Sequence, residues 1–170
     1  MIALKPFKIE DWKYLKKWIS SESELIQFAG PIFTYPIDKK QVEIYLSDLN
    51  RTVFKVENEH KKTIGIAEIN LEQENIAKLA RILIGEKSMR GKGIGTELIN
   101  KLIEYGFNTL KKEKIILNVY SWNVGAIKCY EKAGFYKTEK PIQIIKVGNE
   151  EWETIEMEKN QHATRLSHTK

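Results

Sequence analysis

The chain has 170 residues, of which 42% are hydrophobic and 30% charged, and it carries a formal net charge of +5 at pH 7. A chain of this length and composition forms one ordinary globular domain that buries its own core without disulfide or metal staples. The lone cysteine, Cys129, excludes an internal disulfide framework, and no apolar run is long enough to span a membrane as a helix.

Residues 2–8 alternate weakly and predict a first strand. Asp11 is placed to cap a helix over 12–20, with Leu15, Trp18 and Ile19 on one face. Residues 21–37 mix polar and aromatic side chains with Gly30, Pro31 and Pro36, which predicts a long structured loop with a short helix, the kind of segment that forms binding walls. Asp38 caps a second helix with Val42, Tyr45, Leu46 and Leu49 at helical spacing. Residues 52–57 and 63–71 then predict a hairpin across the turn 58–62, and 77–84 a further strand. A helix over 94–110, a strand over 114–120 and a helix over 123–133 follow, the last capped by Asn123 and stopped by Gly134. Residues 135–146 and 151–158 close the domain as a hairpin. The fold class expected is mixed α/β (α+β): a mostly antiparallel sheet of about 6–7 strands with about four helices on its two faces. A single domain over 1–159 and a loose tail over 160–170 complete the layout. The N-terminus lacks the basic-then-apolar pattern of a leader, so a cytoplasmic location is expected. Basic residues are scattered, as solvated faces are, rather than arranged as a nucleic-acid surface.

One segment carries chemistry. Arg90-Gly91-Lys92-Gly93-Ile94-Gly95 lies between a strand and a helix. Glycines there let the main chain bend and bring bare N–H groups to a ligand, and the helix start adds unpaired N–H groups and a positive dipole end. With Arg90 and Lys92 this makes a phosphate site. The spacing from Gly85 to Gly91 is wrong for a nucleotide P-loop, and Gly93 stands where a hydroxyl should hold magnesium. A dinucleotide fingerprint fails as well, because the glycines read GxGxG after several antiparallel strands. A tight turn that merely starts a helix is the plain alternative.

A second constellation reads Asn123-Val124-Gly125-Ala126-Ile127-Lys128-Cys129-Tyr130-Glu131-Lys132-Ala133-Gly134-Phe135. Asn123 and Tyr130 are two helical turns apart and share a face with Ala126 and Ile127. A phenol there suits protonation of a leaving thiolate. The plain alternative is an amphipathic helix with a core tyrosine.

Together, Arg90-x-x-Gly93-x-Gly95 and the Asn123–Phe135 segment resemble the GNAT superfamily of N-acetyltransferases, with a weaker likeness to its ribosomal-protein-alanine acetyltransferases. The resemblance implies a GNAT-like sheet splayed at the cofactor site and acetyl-CoA as co-substrate. It implies that Leu83, Ile84 and Gly85 bind pantetheine as an added strand. Main-chain groups of Arg90, Gly91, Lys92, Gly93, Ile94, Gly95 and Thr96 would hold the pyrophosphate. Asn123 would bond the pantetheine arm, and Tyr130 would stand near the thioester sulfur.

The catalytic base is less defined. Glu68 and Glu86 are the candidates, with water relay as the alternative. Residues 21–37 and the hairpin 140–152 would supply the acceptor wall, with Gln27, Phe28, Phe33 and Tyr35 as candidates. Cys129 has no histidine partner in sequence and reads as a buried helical cysteine. No metal site is expected, since the histidines lack ligand spacing. The partner expected is an amine, either a protein N-terminus or a small amine or polyamine. No nucleic acid or membrane is expected, and the chain would be a monomer or homodimer. A non-catalytic acyl-CoA-binding sensor is the competing function.

Overall fold

The computed structural model describes residues 1–71 and 73–161, so most of the expected tail lies outside the described residues. The strands are β1 (Ala3–Pro6), β2 (Arg51–Glu57), β3 (Thr63–Asn70), β4 (Ile76–Ile84), β5 (Lys114–Tyr120), β6 (Tyr136–Lys137), β7 (Gln143–Val147) and β8 (Glu150–Asn160). β1 to β4 form an antiparallel meander. β4 pairs in parallel with β5, and β5 pairs antiparallel with β8. The far edge of β8 is shared by β6 and β7. The result is one mixed, mostly antiparallel sheet of eight strands.

Alternation along the strands feeds two cores. α1 (Trp12–Trp18), α2 (Glu22–Ala29) and α3 (Lys39–Leu46) pack with Val53 and Ile66 on one face. α4 (Ile94–Glu104) and α5 (Val124–Lys132) pack with Phe54, Ile115, Leu117 and Val119 on the other. Leu15, Leu25 and Val42 on the first side are fully buried, as are Leu98 and Leu102 on the second. At about 1.5–3 kcal/mol per buried side chain, each layer is held mainly by such burial.

Several elements differ from expectation. The short helix expected within residues 21–37 is the eight-residue α2, which fills the first half of the stretch, and irregular chain follows it. Ser21 Oγ accepts from Glu24 N–H at 3.2 Å and caps the helix, while the Glu24 carboxylate accepts from Ser20 N–H at 2.7 Å and holds the residue before the cap. Asp11 does not cap α1. Its carboxylate accepts from Lys8 N–H at 2.9 Å and closes a 3-10 turn before the helix. Asp38 does cap α3, accepting from Gln41 N–H at 2.8 Å. α4 ends at Glu104, and the remaining turn to Thr109 widens into a π-helix. The expected strand over 135–146 splits into β6 and β7. Pro141, which has no N–H for a ladder, lies in the gap. β8 carries on through Asn160, and Gln161 N–H still donates to Glu113 O at 3.0 Å, so the paired chain reaches into the segment read as tail.

Candidate active site

β4 and β5 pair only over Ile76–Leu79 against Lys114–Leu117. Beyond that both strands continue, but apart. On its other side β4 carries a β-bulge. Its register against β3 moves from Ile66↔Leu83 to Glu68↔Ala80, and Arg81 within it adopts φ +47°. A bulge bends its strand and sharpens its twist, which turns the end of β4 away from β5. A cavity of about 530 Å³ opens in the gap. Its lining comes from both faces: Trp18, Gln27 and Phe28 from one helical layer, Gly95, Ala126 and Tyr130 from the other.

The glycine loop borders this cavity. Gly91 and Gly93 sit at φ +74° and +78°, where a side chain is strained, and a Cβ at either would meet nothing within 4 Å. The main chain there is bare and held in a shape that favours glycine. Gly93 N-caps α4 without any side-chain bond, leaving the first-turn N–H groups of Ile94, Gly95 and Thr96 for an outside acceptor. Arg90 folds back so that its Nε donates to Ile84 O at 2.7 Å, at the end of β4. Leu83, Ile84, Arg90, Gly91 and Gly95 line the cavity. Gly85, Lys92, Gly93, Ile94 and Thr96 do not. Gly85 lies beneath the Trp18 indole, and Thr96 Oγ1 is 3.5 Å from Cys129 Sγ.

α5 brings Asn123 and Tyr130 to the same cavity. Asn123 Oδ1 accepts from Ala126 N–H at 3.2 Å and caps the helix. Burial, with Cys129 beside it, pushes the Tyr130 phenol up to about 12, so it keeps its proton across the physiological range. Cys129 is half-buried on the cavity wall rather than deep in the core.

The opposite wall is made of side chains. Gln27 and Phe28 line the cavity, as expected, and so does Glu24, to which the sequence reading gave no role. The Ser20 N–H and hydroxyl hold the Glu24 carboxyl below its ordinary range, with help from Lys87 and Arg90. Tyr35 is turned away, its hydroxyl donating to Ser20 O at 2.9 Å, and Phe33 is buried in the core. Tyr120 at the end of β5 also faces the cavity.

Both candidate bases lie outside the cavity lining. Glu68 is fully buried, and its oxygens accept from Tyr45 and Arg81, with Arg51 Nη1 3.5 Å away. A carboxylate so engaged is an ionic anchor, not a free base. Glu86 accepts from Lys17 at 2.6 Å, from the Trp18 indole at 3.3 Å and from Lys62 at 3.3 Å. These donors, Lys17 first, hold its carboxyl down to about 2. Among the described residues no group of histidine, cysteine and acidic side chains could hold a metal, and no helix is long and apolar enough to cross a membrane.

Comparison with known proteins agrees with this geometry. Residues 12–135 match the model of the acetyltransferase (GNAT) family. An aminoglycoside N(6')-acetyltransferase type 1 of Klebsiella pneumoniae is 45% identical over 53 residues, 31% of this chain and 26% of that protein. A spermidine N(1)-acetyltransferase of Vibrio cholerae is 36% identical over 83 residues, 48% of this chain and 47% of that protein. The matched stretches thus span less than half the length of these curated relatives. The crystal structure of spermidine N-acetyltransferase from Vibrio cholerae in complex with CoA and spermine superposes with a TM-score of 0.80, covering 94% of this chain and 95% of the other. At 21% identity that likeness is one of fold. The family model covers most of the chain, from α1 to the end of α5, and the chain belongs to the acetyltransferase (GNAT) family.

Proposed function

We propose that the protein is an acetyl-CoA-dependent N-acetyltransferase acting on a primary amine, with small amines and polyamines favoured over protein N-termini by the names of its relatives. The observation that carries this is the splay of β4 from β5, with a bare glycine cradle beside it and a protonated tyrosine in its wall. The cradle fits a diphosphate. Its glycines leave open space where side chains would otherwise stand, the helix start supplies N–H donors, and Arg90 and Lys92 supply charge. Leu83 and Ile84, past the end of the β4–β5 ladder, offer main-chain groups to an extended arm, and Asn123 meets that arm from α5. Bound there, the coenzyme supplies an acetyl thioester.

The residues then divide the work. A main-chain N–H at the splay stabilises the developing oxyanion. Tyr130 gives its phenolic proton to the sulfur as the carbon–sulfur bond breaks and regains it from solvent. The acceptor, an ammonium with a pKa of about 10, must lose a proton before its nitrogen bonds the acyl carbon. Since Glu68 and Glu86 are both tied into ion pairs, water in the cleft takes that proton. Calorimetry with acetyl-CoA, followed by a thiol-release assay with an amine panel, tests the assignment. Binding heat and amine-dependent thiol release are expected. Tyr130→Phe should lower kcat roughly 10-fold or more while acetyl-CoA still binds. An unchanged rate removes Tyr130 from the chemistry, and the absence of coenzyme binding removes the function.

A further inference from the structure

Acetyl transfer needs one amine nitrogen at the splay, yet the wall beside it continues outward as an aromatic surface that this step does not use. Tyr120 lines the cavity, and its hydroxyl donates to Ile26 O on α2 at 3.1 Å, so it bridges β5 to the helical wall. Trp122 lies flat on Tyr120, with centroids 5.6 Å apart and planes 1° apart. Trp152 of β8 stands steeply to both rings, at 5.1 and 5.2 Å. The loop is pinned to β8 by Ser121 N–H donating to Glu153 O at 2.8 Å. The three rings are therefore fixed before any ligand arrives.

Trp122 nevertheless keeps 45% of its surface exposed. Tyr120 stacks offset against it and Trp152 packs at its flank, and nearly half of the residue still faces solvent. An indole face attracts cations through its quadrupole and packs well against methylene groups. Charge around it has the same preference. Trp152 Nε1 donates to Glu150 at 2.8 Å, which sets a carboxylate at the rim. Glu150 shares the strand face of Trp152 and enters no ion pair among the described residues. In a chain of net charge +5, an open indole with an unpaired carboxylate at its rim and continuous with the reaction cleft is suited to a flexible organic cation.

We infer that Trp122, backed by Tyr120 and Trp152, binds the second, non-reacting ammonium of an aliphatic polyamine acceptor while its terminal amine lies in the cleft. This rests on the proposed acetylation of amines. The subsite determines specificity and takes no part in bond making.

The test compares spermidine with n-butylamine, which has an aliphatic chain but no second charge. The wild type should prefer spermidine. Trp122→Ala should reduce that preference roughly 3- to 30-fold, through KM rather than kcat. Trp122→Tyr, which keeps an aromatic face, should restore most of it, and Trp122→Leu should not. Equal losses for the two amines, a wild type without preference, or rescue by leucine would each overturn the subsite while leaving amine acetylation in place. Failure of the wild type to acetylate either amine would overturn the proposed function and the subsite with it.

Discussion

The wall of the cleft formed by the glycine loop and α4 presents main chain, while the wall formed by α1, α2 and the end of β5 presents side chains. On the first, Gly91, Gly93 and the open helix start expose N–H groups whose positions follow from backbone angles alone. On the second, Trp18, Glu24, Gln27, Phe28 and Tyr120 converge from separate elements. Main-chain donors do not change with side-chain identity, so the first wall suits a ligand part that is always the same. The second wall can be altered one residue at a time, which suits the part that sets specificity.

The largest effect should come from the anchor beneath the side-chain wall. Glu68 is buried between Arg81 and Arg51 and also holds the Tyr45 hydroxyl. Glu68→Gln leaves two guanidinium groups without their counter-charge, and breaking a buried pair this way costs about 3–5 kcal/mol. Urea unfolding should show that loss. In the fraction that stays folded, acetyl-CoA should still bind through the main-chain cradle, which does not lean on α3, but more weakly, because the β4 bulge beside the splay loses its Arg81–Glu68 pair. Unchanged stability with a collapsed kcat would return Glu68 to the chemistry and erase the contrast between the walls.

A smaller effect is expected where the walls meet. A Cβ on Gly85 would fall 1.9 Å from the Trp18 ring, which packs directly on this glycine just after β4. The ring is buried and cannot swing aside freely. Gly85→Ala should therefore displace α1 and cost about 1–3 kcal/mol in thermal unfolding. Because Trp18 lines the cleft and also bonds Glu86, KM should rise for both substrates. A rise for the amine alone would show that α1 moves without the cradle.

The same contrast explains what the sequence made legible. The glycine loop, the Asn123 cap, the Asp38 cap and most strand limits depend on neighbours a few residues away, and local spacing reports them. α2 also had a local signal, Ser21 with Glu24, but Gly30 and Pro31 reduced it to a short helix of unspecified place within a loop. The Arg81 bulge had none. No glycine or proline marks it, and its positive φ is held by pairing with Glu68, thirteen residues away. Tyr120, Trp122 and Trp152 meet only because β5 lies beside β8. Glu68 looked available as a base because its partners, Tyr45, Arg51 and Arg81, are set by the sheet and by α3.

The finest test concerns how the loop's first turn is tied to α1. Glu86 is held down to about 2 chiefly by the Lys17 ammonium, then by the Trp18 indole N–H, with Lys62 adding and burial opposing. A carboxyl lowered from 4.5 stabilises the fold fully above that value, and the contribution fades as pH falls toward 2, where the folded state also takes up the proton. Wild type should thus exceed Glu86→Gln in Tm by roughly 2–4 °C near neutrality, a gap that narrows below pH 4.5 and closes near 2. Lys17 and Lys62 are mostly exposed, so added salt should shrink the same gap at neutral pH. A gap indifferent to both pH and salt would assign the tie to packing of Trp18 on Gly85, making the junction of the two walls steric instead of ionic.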